Sequence, residues 1–246
     1  MRESVIIDCF PSSVARYRQE YAIVAIDVIR ATTMAITSAA SGRRTFCADS
    51  LEAVRRITQR LEDPLVAGEL SGDTPAGFDM NNSPAELLER TDLHRPLILL
   101  SSSGTKLVWE ASRGAEPAYL ACFRNYSAVS EYLAGRHRKI AIIGAGSREE
   151  FREEDQMCCA WIAEQLIQAG YAAENRATLD IVARWTGAPP AACWGSNSVG
   201  YLRRSGQLRD LTFILSHIDD LDCVFTVTFD EIVMPTGVLT EMIEAA

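Results

Sequence analysis

Four polar residues follow directly on an apolar run near the start of the sequence, and their types could bind and transform an anion. Residues 22–26 are apolar, and Asp27, Arg30, Thr32 and Thr33 come next. In open α/β sheets, ligands bind at the carboxyl ends of the strands, beside the amino ends of the following helices. The pattern therefore predicts an anion site and allows a metal ion. The alternative is a strand-to-helix turn in which the aspartate and the threonines only cap the helix.

A second group of carboxylates follows the apolar run at residues 65–67. Glu69 stands directly after that run, and Asp79 lies just before a helix start at Asn82 and Ser83. Glycines in this segment let the loop fold tightly and bring backbone N–H groups near a ligand. Asn82 and Ser83 are expected to cap the helix whether or not they also meet a ligand. The alternative for Asp79 is an ordinary loop residue.

Two further loops offer hydroxyls and backbone N–H groups. Residues 101–105 (Ser-Ser-Ser-Gly-Thr) and residues 144–148 (Gly-Ala-Gly-Ser-Arg) each follow an apolar run. N–H groups at a helix start bind anions, although neither segment has the spacing of a Walker loop or a complete dinucleotide-binding motif. A solvated serine-rich turn is the simpler alternative for the first. The acidic residues 153–155 either suit a helix start or, at Asp155, offer a ligand for a divalent cation.

Phosphoryl chemistry needs the groups that these four loops share. Carboxylates hold Mg²⁺, the metal polarises phosphoryl oxygens and a water, and N–H or arginine donors balance the negative charge of the phosphate. Arg30 and Arg148 supply such cations. The sequence therefore predicts a Mg²⁺-dependent site for a small phosphate ester.

The elements that must position these loops form an alternating pattern. Apolar, strand-like runs lie at residues 4–7, 22–26, 45–48, 65–67, 97–100, 118–121 and 139–143, and segments with helical spacing separate most of them. This alternation predicts a three-layer α/β/α fold with a mainly parallel or mixed central sheet. Helices are expected after a cap at Asp49 or Ser50, after Ser83, and from about Glu153 to Ala169.

The last third of the chain has a weaker pattern. A break at residues 186–190 is followed by helical material up to about Ile218 and by two strand-like pieces at residues 224–228 and 231–233. These pieces are predicted to form a hairpin or bent strand at one edge of the sheet. We therefore expect a single domain over residues 1–246, in which residues from about 171 to 246 elaborate the same sheet.

Composition excludes several classes of partner. The chain has 246 residues, a net charge of −9 and a pI near 4.9, which argue against nucleic acid and an anionic membrane surface. No apolar run is long enough to span a membrane, and no signal-peptide pattern follows Met1, so a cytoplasmic location is expected. Seven scattered cysteines and three histidines indicate neither a disulfide framework nor a zinc site.

Several of these motifs also resemble a known family. Residues 27–33, 68–69, 77–79, 82–84, 103–105, 145–146 and 154–155, together with Asn125, occur in the order seen in 2-phosphosulfolactate phosphatases. The resemblance implies Mg²⁺-dependent hydrolysis of 2-phospho-3-sulfolactate on the route to coenzyme M. The sequence departs from the family pattern at Leu70, where arginine is usual, at Asn81, where glycine is usual, and at residues 101–103, where Thr-Thr-Asn is usual.

This resemblance and the residue types together suggest a role for each candidate. Asp27, Glu69 and Asp155 are expected to bind the metal or orient water, with Asp79 as a reserve ligand or general acid. Arg30 is expected to act on the phosphate. The other expected substrate-binding residues are Thr32, Thr33, Asn82, Ser102, Ser103, Gly104, Thr105, Asn125 and Arg148, the last for a sulfonate or carboxylate. A homodimer is the expected assembly.

Two rival interpretations have different consequences. Asp27 could be a covalent nucleophile, as in haloacid-dehalogenase-like phosphatases, but those enzymes have a second aspartate where Ile29 stands here. The chain could also be a catalytically silent anion-binding or regulatory module, a reading motivated by Leu70 and Ser103. The many retained carboxylates speak against that reading, because an anion binder gains nothing from negative charge beside its ligand.

Overall fold

The structure is a computed structural model in which residues 3–235 are described. Residues 1–2 and 236–246, which include both ends of the predicted domain, lie outside the described residues.

A single mixed sheet organises the described part of the chain. Its ten strands are β1 (Ser4–Cys9), β2 (Ala22–Ile26), β3 (Thr45–Ala48), β4 (Leu65–Gly68), β5 (Leu97–Leu100), β6 (Ala118–Ala121), β7 (Lys139–Gly144), β8 (Ala172–Ala173), β9 (Phe225–Thr228) and β10 (Glu231–Val233). They lie in the order β4-β5-β3-β10-β9-β6-β2-β7-β1-β8. The predicted strands are present within one or two residues of the expected bounds, because each is a continuous apolar run of the length that a buried strand needs.

The sheet contains two sets of parallel strands that run in opposite directions. Strands β4, β5 and β3 are parallel to one another, and so are β6, β2, β7, β1 and β8. The β9–β10 hairpin joins the two sets by antiparallel pairing with β6 on one side and β3 on the other. The hairpin prediction is confirmed, but its placement at an edge of the sheet is wrong. The local sequence pattern predicts that the two short strands pair with each other. It does not predict their other neighbours, β3 and β6, which lie more than a hundred residues earlier in the chain.

Helices pack against both faces of the sheet. They are α1 (Ala31–Ala40), α2 (Leu51–Thr58), α3 (Pro84–Leu88), α4 (Gly104–Ala111), α5 (Tyr126–Leu133), α6 (Glu153–Gln168), α7 (Arg176–Trp185), α8 (Asn197–Arg204) and α9 (Leu208–Ser216). Two expected caps are present: the Ser50 hydroxyl accepts a hydrogen bond from Ala53 N at 3.2 Å, and that of Ser83 accepts one from Glu86 N at 3.1 Å. The prediction that Asn82 also caps α3 is wrong, because Ser83 occupies the cap position and Asn82 Oδ1 accepts no hydrogen bond from the described residues. The weak pattern beyond residue 170 did not predict α7 or β8.

Helices α1 and α4 pack inside the curve of the sheet. A buried apolar cluster joins them to strands of both parallel sets, including Ile23 and Ala25 of β2 and Leu97 and Leu99 of β5. Helices α5, α6 and α7 cover the outer face of one set, and α2 covers that of the other. The predicted three-layer α/β/α fold is confirmed.

The twist of the sheet lets loops from the two oppositely directed sets of strands meet. Each strand is rotated by roughly 20–25° relative to its neighbour, and five such rotations separate β5 from β2. The total rotation exceeds a right angle.

The central hairpin should contribute strongly to stability. Ile232 is 5% exposed and packs into the cluster around α1, whereas Phe229, at the turn of the same hairpin, is 91% exposed. We expect Ile232→Ala to lower the free energy of unfolding by about 3 kcal/mol in urea titrations, because it leaves a cavity between the two strand sets. Phe229→Ala should change it by less than about 0.5 kcal/mol. Equal effects of the two variants would contradict a central position for the hairpin.

Candidate active site

A cavity of about 480 Å³ lies where the loops after β2, β4, β5 and β7 meet. Eight of the residues singled out in the sequence line it: Asp27, Arg30, Glu69, Asn82, Ser102, Ser103, Arg148 and Asp155. Helix α8 supplies the remaining wall. The four polar loops are therefore brought to one place, although the strands that precede them run in two directions.

Asp27 lies at the junction of helices α1 and α4. A Cβ atom on Gly104 would stand 2.1 Å from Asp27 Oδ2 and 2.5 Å from the Ala31 Cβ, so a side chain there would displace the carboxylate. Only glycine allows the start of α4 to approach this closely. Gly104 is therefore needed because its missing side chain leaves room for the Asp27 carboxylate.

Asp155 connects the β2 loop to the β7 loop. Its Oδ1 accepts a hydrogen bond from Val28 N at 2.8 Å, and its Oδ2 accepts one from Gly146 N at 3.3 Å. The side chain is buried, and the residue is 3% exposed. Both carboxylate oxygens are therefore engaged in holding the backbone that surrounds Asp27.

The buried carboxylates raise one another's pKa values. Burial, and then the charges of Glu69 and Glu154, raise the pKa of Asp27 to about 7 against the hydrogen bond from Ala31 N. The pKa of Asp155 is raised well above its ordinary value, first by burial and then by Asp27 and Glu154. Burial also raises the pKa of Glu154, against hydrogen bonds from Ser198 and Ser196. This group of acids is costly to ionise together, so a proton or a cation stabilises it.

Glu69 ties the β4 loop to the β5 loop. Its Oε1 accepts a hydrogen bond from Ser102 N at 2.7 Å, and its Oε2 accepts bonds from Gly72 N at 2.7 Å and from the Ser102 hydroxyl at 2.9 Å. The Ser102 hydroxyl in turn accepts a hydrogen bond from Ser71 N at 2.7 Å. Glu69 therefore shapes the cavity wall as well as facing the cavity.

Arg30 is a buried cation held by residues from two segments, the β4 loop and the start of α9. Its guanidinium forms an ion pair with Asp210 of α9 and donates hydrogen bonds to Gln207 and Asn81. Asp210 also accepts hydrogen bonds from the Ser83 hydroxyl and from Ala85 N. The same carboxylate thus fixes the guanidinium and the start of α3.

Six of the predicted site residues are not among those that line the cavity: Thr32, Thr33, Asp79, Gly104, Thr105 and Asn125. The Thr32 hydroxyl donates to the Asp27 carbonyl at 2.8 Å, and that of Thr33 donates to the Val28 carbonyl at 2.8 Å. These bonds hold the β2 loop against the start of α1. They support a positioning role for the two threonines.

The remaining residues outside the lining also make local contacts. The Thr105 hydroxyl donates to the Ser101 carbonyl at 3.0 Å and accepts from Ser101 N at 2.8 Å. The Asn125 side chain donates to backbone carbonyls of Leu120 and Cys223. Asp79 accepts a hydrogen bond from Val66 N at 2.8 Å and lies 3.6 Å from Arg95. Their predicted contacts with substrate stay predictions.

Sequence reasoning missed the wall that helix α8 provides. The residues that it contributes to the cavity are Asn197, Ser198, Tyr201, Leu202 and Arg204. The Tyr201 hydroxyl donates to the Gly72 carbonyl at 2.6 Å, which fixes the helix against the β4 loop. A signal was present in the polar run at residues 196–198 and in the basic end of the helix, but an amphipathic pattern does not indicate where a helix docks.

The carboxylates fit a cation that takes few protein ligands. Among the described residues, no three His, Cys, Asp or Glu side chains converge closely enough to form a metal centre. Mg²⁺ is usually held by one or two carboxylates and keeps waters or substrate oxygens in its other positions. The raised pKa values of Asp27 and Asp155 show that a cation beside them would be stabilising. These residues therefore fit a cation that is held by one or two carboxylates and completed by water or substrate, and not one surrounded by protein ligands.

Buried carboxylates, an arginine and helix starts in one cavity of an α/β sheet are typical of enzymes that act on phosphate esters. The 2-phosphosulpholactate phosphatase family model matches residues 10–229. The chain belongs to this family, which classes it among the phosphoric monoester hydrolases, as predicted.

Individual relatives agree with the family match. A probable 2-phosphosulfolactate phosphatase of Deinococcus radiodurans is 30% identical over 211 residues, which are 84% of this chain and 86% of the relative. One of Symbiobacterium thermophilum is 30% identical over 201 residues, 80% of this chain and 79% of the relative. One of Pseudothermotoga lettingae is 32% identical over 149 residues, 60% of this chain, and the match spans 63% of that relative's length.

The raised pKa of Asp27 predicts a pH-dependent cost in stability. Between about pH 4 and pH 7 the unfolded state loses this proton while the folded state keeps it, so the folded state loses stability as pH rises. Asp27→Asn removes that loss. In chelator-containing buffer, we expect the free energy of unfolding of the variant, minus that of the original chain, to be about 1–3 kcal/mol larger at pH 8 than at pH 5, so the variant gains relative stability at high pH.

A matched control is Asp180→Asn, since Asp180 lies on the surface of α7 with 58% of its side chain exposed. Its effect should differ by less than about 0.5 kcal/mol between the two pH values. A pH-independent effect of Asp27→Asn would show that Asp27 titrates normally.

Proposed function

We propose that this protein is a Mg²⁺-dependent phosphatase that hydrolyses a small, anionic 2-hydroxy-acid phosphate ester. The first candidate reaction converts 2-phospho-3-sulfolactate and water to 3-sulfolactate and phosphate. The observation that carries the proposal is the meeting of Asp27, Asp155 and Arg30 in one cavity of a chain of this family. The cavity volume of about 480 Å³ suits a small molecule.

Asp27 and Asp155, with Glu69 as a third candidate, are the residues that would hold Mg²⁺. When bound, the ion would neutralise phosphate charge and lower the pKa of a nearby water. The proposal is supported by the mutually raised pKa values of these acids, which a cation would relieve.

Arg30 and the start of α4 are the proposed phosphate ligands. The guanidinium is buried at the cavity and pre-positioned by Asp210, and Gly104 brings the start of α4 close to Asp27. Such donors stabilise the charge on the transferred phosphoryl group without having to reorganise. Ser102 and Ser103 line the same wall and are proposed to contact an oxyanion.

Asp27 is the proposed group that orients water and accepts its proton. Its carboxylate lines the cavity beside Arg30, where it can accept a proton from a water that attacks the phosphate. Attack by water is preferred to a covalent aspartyl-phosphate because Ile29 occupies the position of the second aspartate that covalent enzymes use. Asp79 stays a reserve general acid, although its contacts lie with Val66 and Arg95.

The rival reading as a silent binding module gains little from Leu70. Leu70 is exposed and is not among the residues that line the cavity. Leu70 therefore forms no part of the cavity wall in this chain. Ser103 does line the cavity, so a change in substrate preference is the expected consequence of that departure.

The proposal extends to the compartment and the assembly of the enzyme. Among the described residues, no helix has the length and apolar character needed to cross a lipid bilayer. The seven cysteines are all free, which suits a reducing compartment such as the cytoplasm. We propose that the enzyme is cytoplasmic and forms a homodimer, the commonest assembly of soluble oligomers. If its substrate is phosphosulfolactate, it serves the formation of coenzyme M.

Phosphate release tests the reaction directly. We expect Mg²⁺-dependent release from 2-phospho-3-sulfolactate, phospholactate or phosphoglycolate, and loss of release with excess chelator. Asp27→Asn should lower kcat by at least about 100-fold, because it removes the proton acceptor and a cation ligand. Circular dichroism should show an unchanged fold.

Asp180→Asn is the control variant and should keep full activity. Near-normal activity of Asp27→Asn would refute the site assignment, and a trapped aspartyl-phosphate would replace the water mechanism with the covalent one. Tight ester binding without turnover or metal dependence would favour the silent binding module.

A further inference from the structure

The buried end of the cavity holds acidic side chains together with Arg30, whereas its exposed end holds two arginines. Asp155 and Arg30 are buried at its inner end, with Asp27 beside them. Two exposed arginines, Arg148 of the β7 loop and Arg204 at the end of α8, line its opening. An anion at the opening therefore meets cations from two separate segments.

These two arginines differ from the other cationic residues of the cavity. Arg30 forms an ion pair with Asp210, and Arg152 forms one with Glu150. Within residues 3–235, neither Arg148 nor Arg204 forms an ion pair or a side-chain hydrogen bond with a described residue. Their charges are available to a ligand.

The acidic side chains near the opening are already engaged. Glu150 accepts hydrogen bonds from Arg152 and, at 2.8 Å, from the Asn197 amide. Glu69 is used by Ser102 and by Gly72 N. Glu150 is paired with Arg152, and neither of these two carboxylates forms an ion pair with Arg148 or Arg204.

The segments that carry the two arginines are fixed to each other and to the cavity. The Glu150–Asn197 hydrogen bond joins the β7 loop to the start of α8. The Tyr201 hydroxyl joins the same helix to the β4 loop through the Gly72 carbonyl. Arg204 lies one turn beyond Tyr201, so little backbone ordering is needed for it to bind a ligand.

We propose that Arg148 and Arg204 together form a subsite for the second anionic group of the substrate, a carboxylate or sulfonate, while the phosphate binds at the inner end. The inference rests on the proposed phosphatase function and assigns substrate selectivity to helix α8 and the β7 loop. The two arginines act on binding and not on the bond that is broken.

Two matched esters separate the second anion from the phosphate. 2-Phospholactate and glycerol 2-phosphate are both secondary phosphate monoesters, but only the first carries a carboxylate. Arg204→Met and Arg148→Met should each lower kcat/KM for 2-phospholactate by about 10-fold, the effect of one lost charge-assisted hydrogen bond. Their kcat/KM for glycerol 2-phosphate should change by less than about twofold.

Arg203→Met is the control variant, because Arg203 is the neighbouring residue on α8 but stacks on Trp194 at 4.7 Å and is not among the lining residues. It should leave both esters unaffected. Equal losses for the two esters, or no loss for either, would overturn the subsite while leaving the phosphatase function standing.

Calorimetric titration with 2-phospholactate separates failure of the subsite from failure of the reaction. If the original chain hydrolyses neither ester but binds 2-phospholactate, the phosphatase proposal fails, and a roughly tenfold weaker Kd for Arg204→Met would still support the subsite. Unchanged binding by that variant would refute it. Absence of both turnover and binding in the original chain would refute both proposals.

Discussion

The cavity depends on one buried carboxylate, Asp155, whose two oxygens take up backbone N–H groups from two loops. By accepting hydrogen bonds from Val28 and Gly146, it fixes the exits of the adjacent strands β2 and β7. The arrangement is costly, because Asp27 and Glu154 raise its pKa further. The loops are thus held by a group whose charge state is coupled to its neighbours. Any cation or proton that enters the cavity changes the electrostatics of this support.

A second constraint is the close approach of α1 and α4, which lie between two oppositely directed sets of strands. In a flat sheet, loops from β2 and β5 would leave from opposite edges. The sheet instead curves around the two helices, and their starts meet at Asp27 and Gly104. The missing side chain at position 104 permits this contact. The start of α4 and the Asp27 carboxylate therefore lie together in a fold without a simple parallel sheet.

The sequence predicts those parts of this arrangement that are locally encoded. Strand β2 and the polar residues after it are recognisable because a buried strand is a short apolar run and its exit is polar. The central position of the β9–β10 hairpin is not, since it depends on pairing with β3 and β6. The hydroxyls of Thr32 and Thr105 show another limit: the sequence predicts hydroxyls at helix starts, but they bond to the backbone. The docking of α8, which supplies Arg204, likewise depends on distant contacts such as that of Tyr201 with Gly72.

The charge distribution explains how a chain with a net charge of −9 could attract an anionic substrate. Arg148 and Arg204 make the opening of the cavity locally positive, and surface charges beyond about 8–10 Å are largely screened at physiological salt. At the inner end, ionised Asp27 and Asp155 would repel a phosphate. Under the proposed function, cation binding there must strengthen substrate binding, and thermodynamic linkage requires the substrate to strengthen cation binding by the same factor. The acids that impede a bare anion would then admit substrate and metal together.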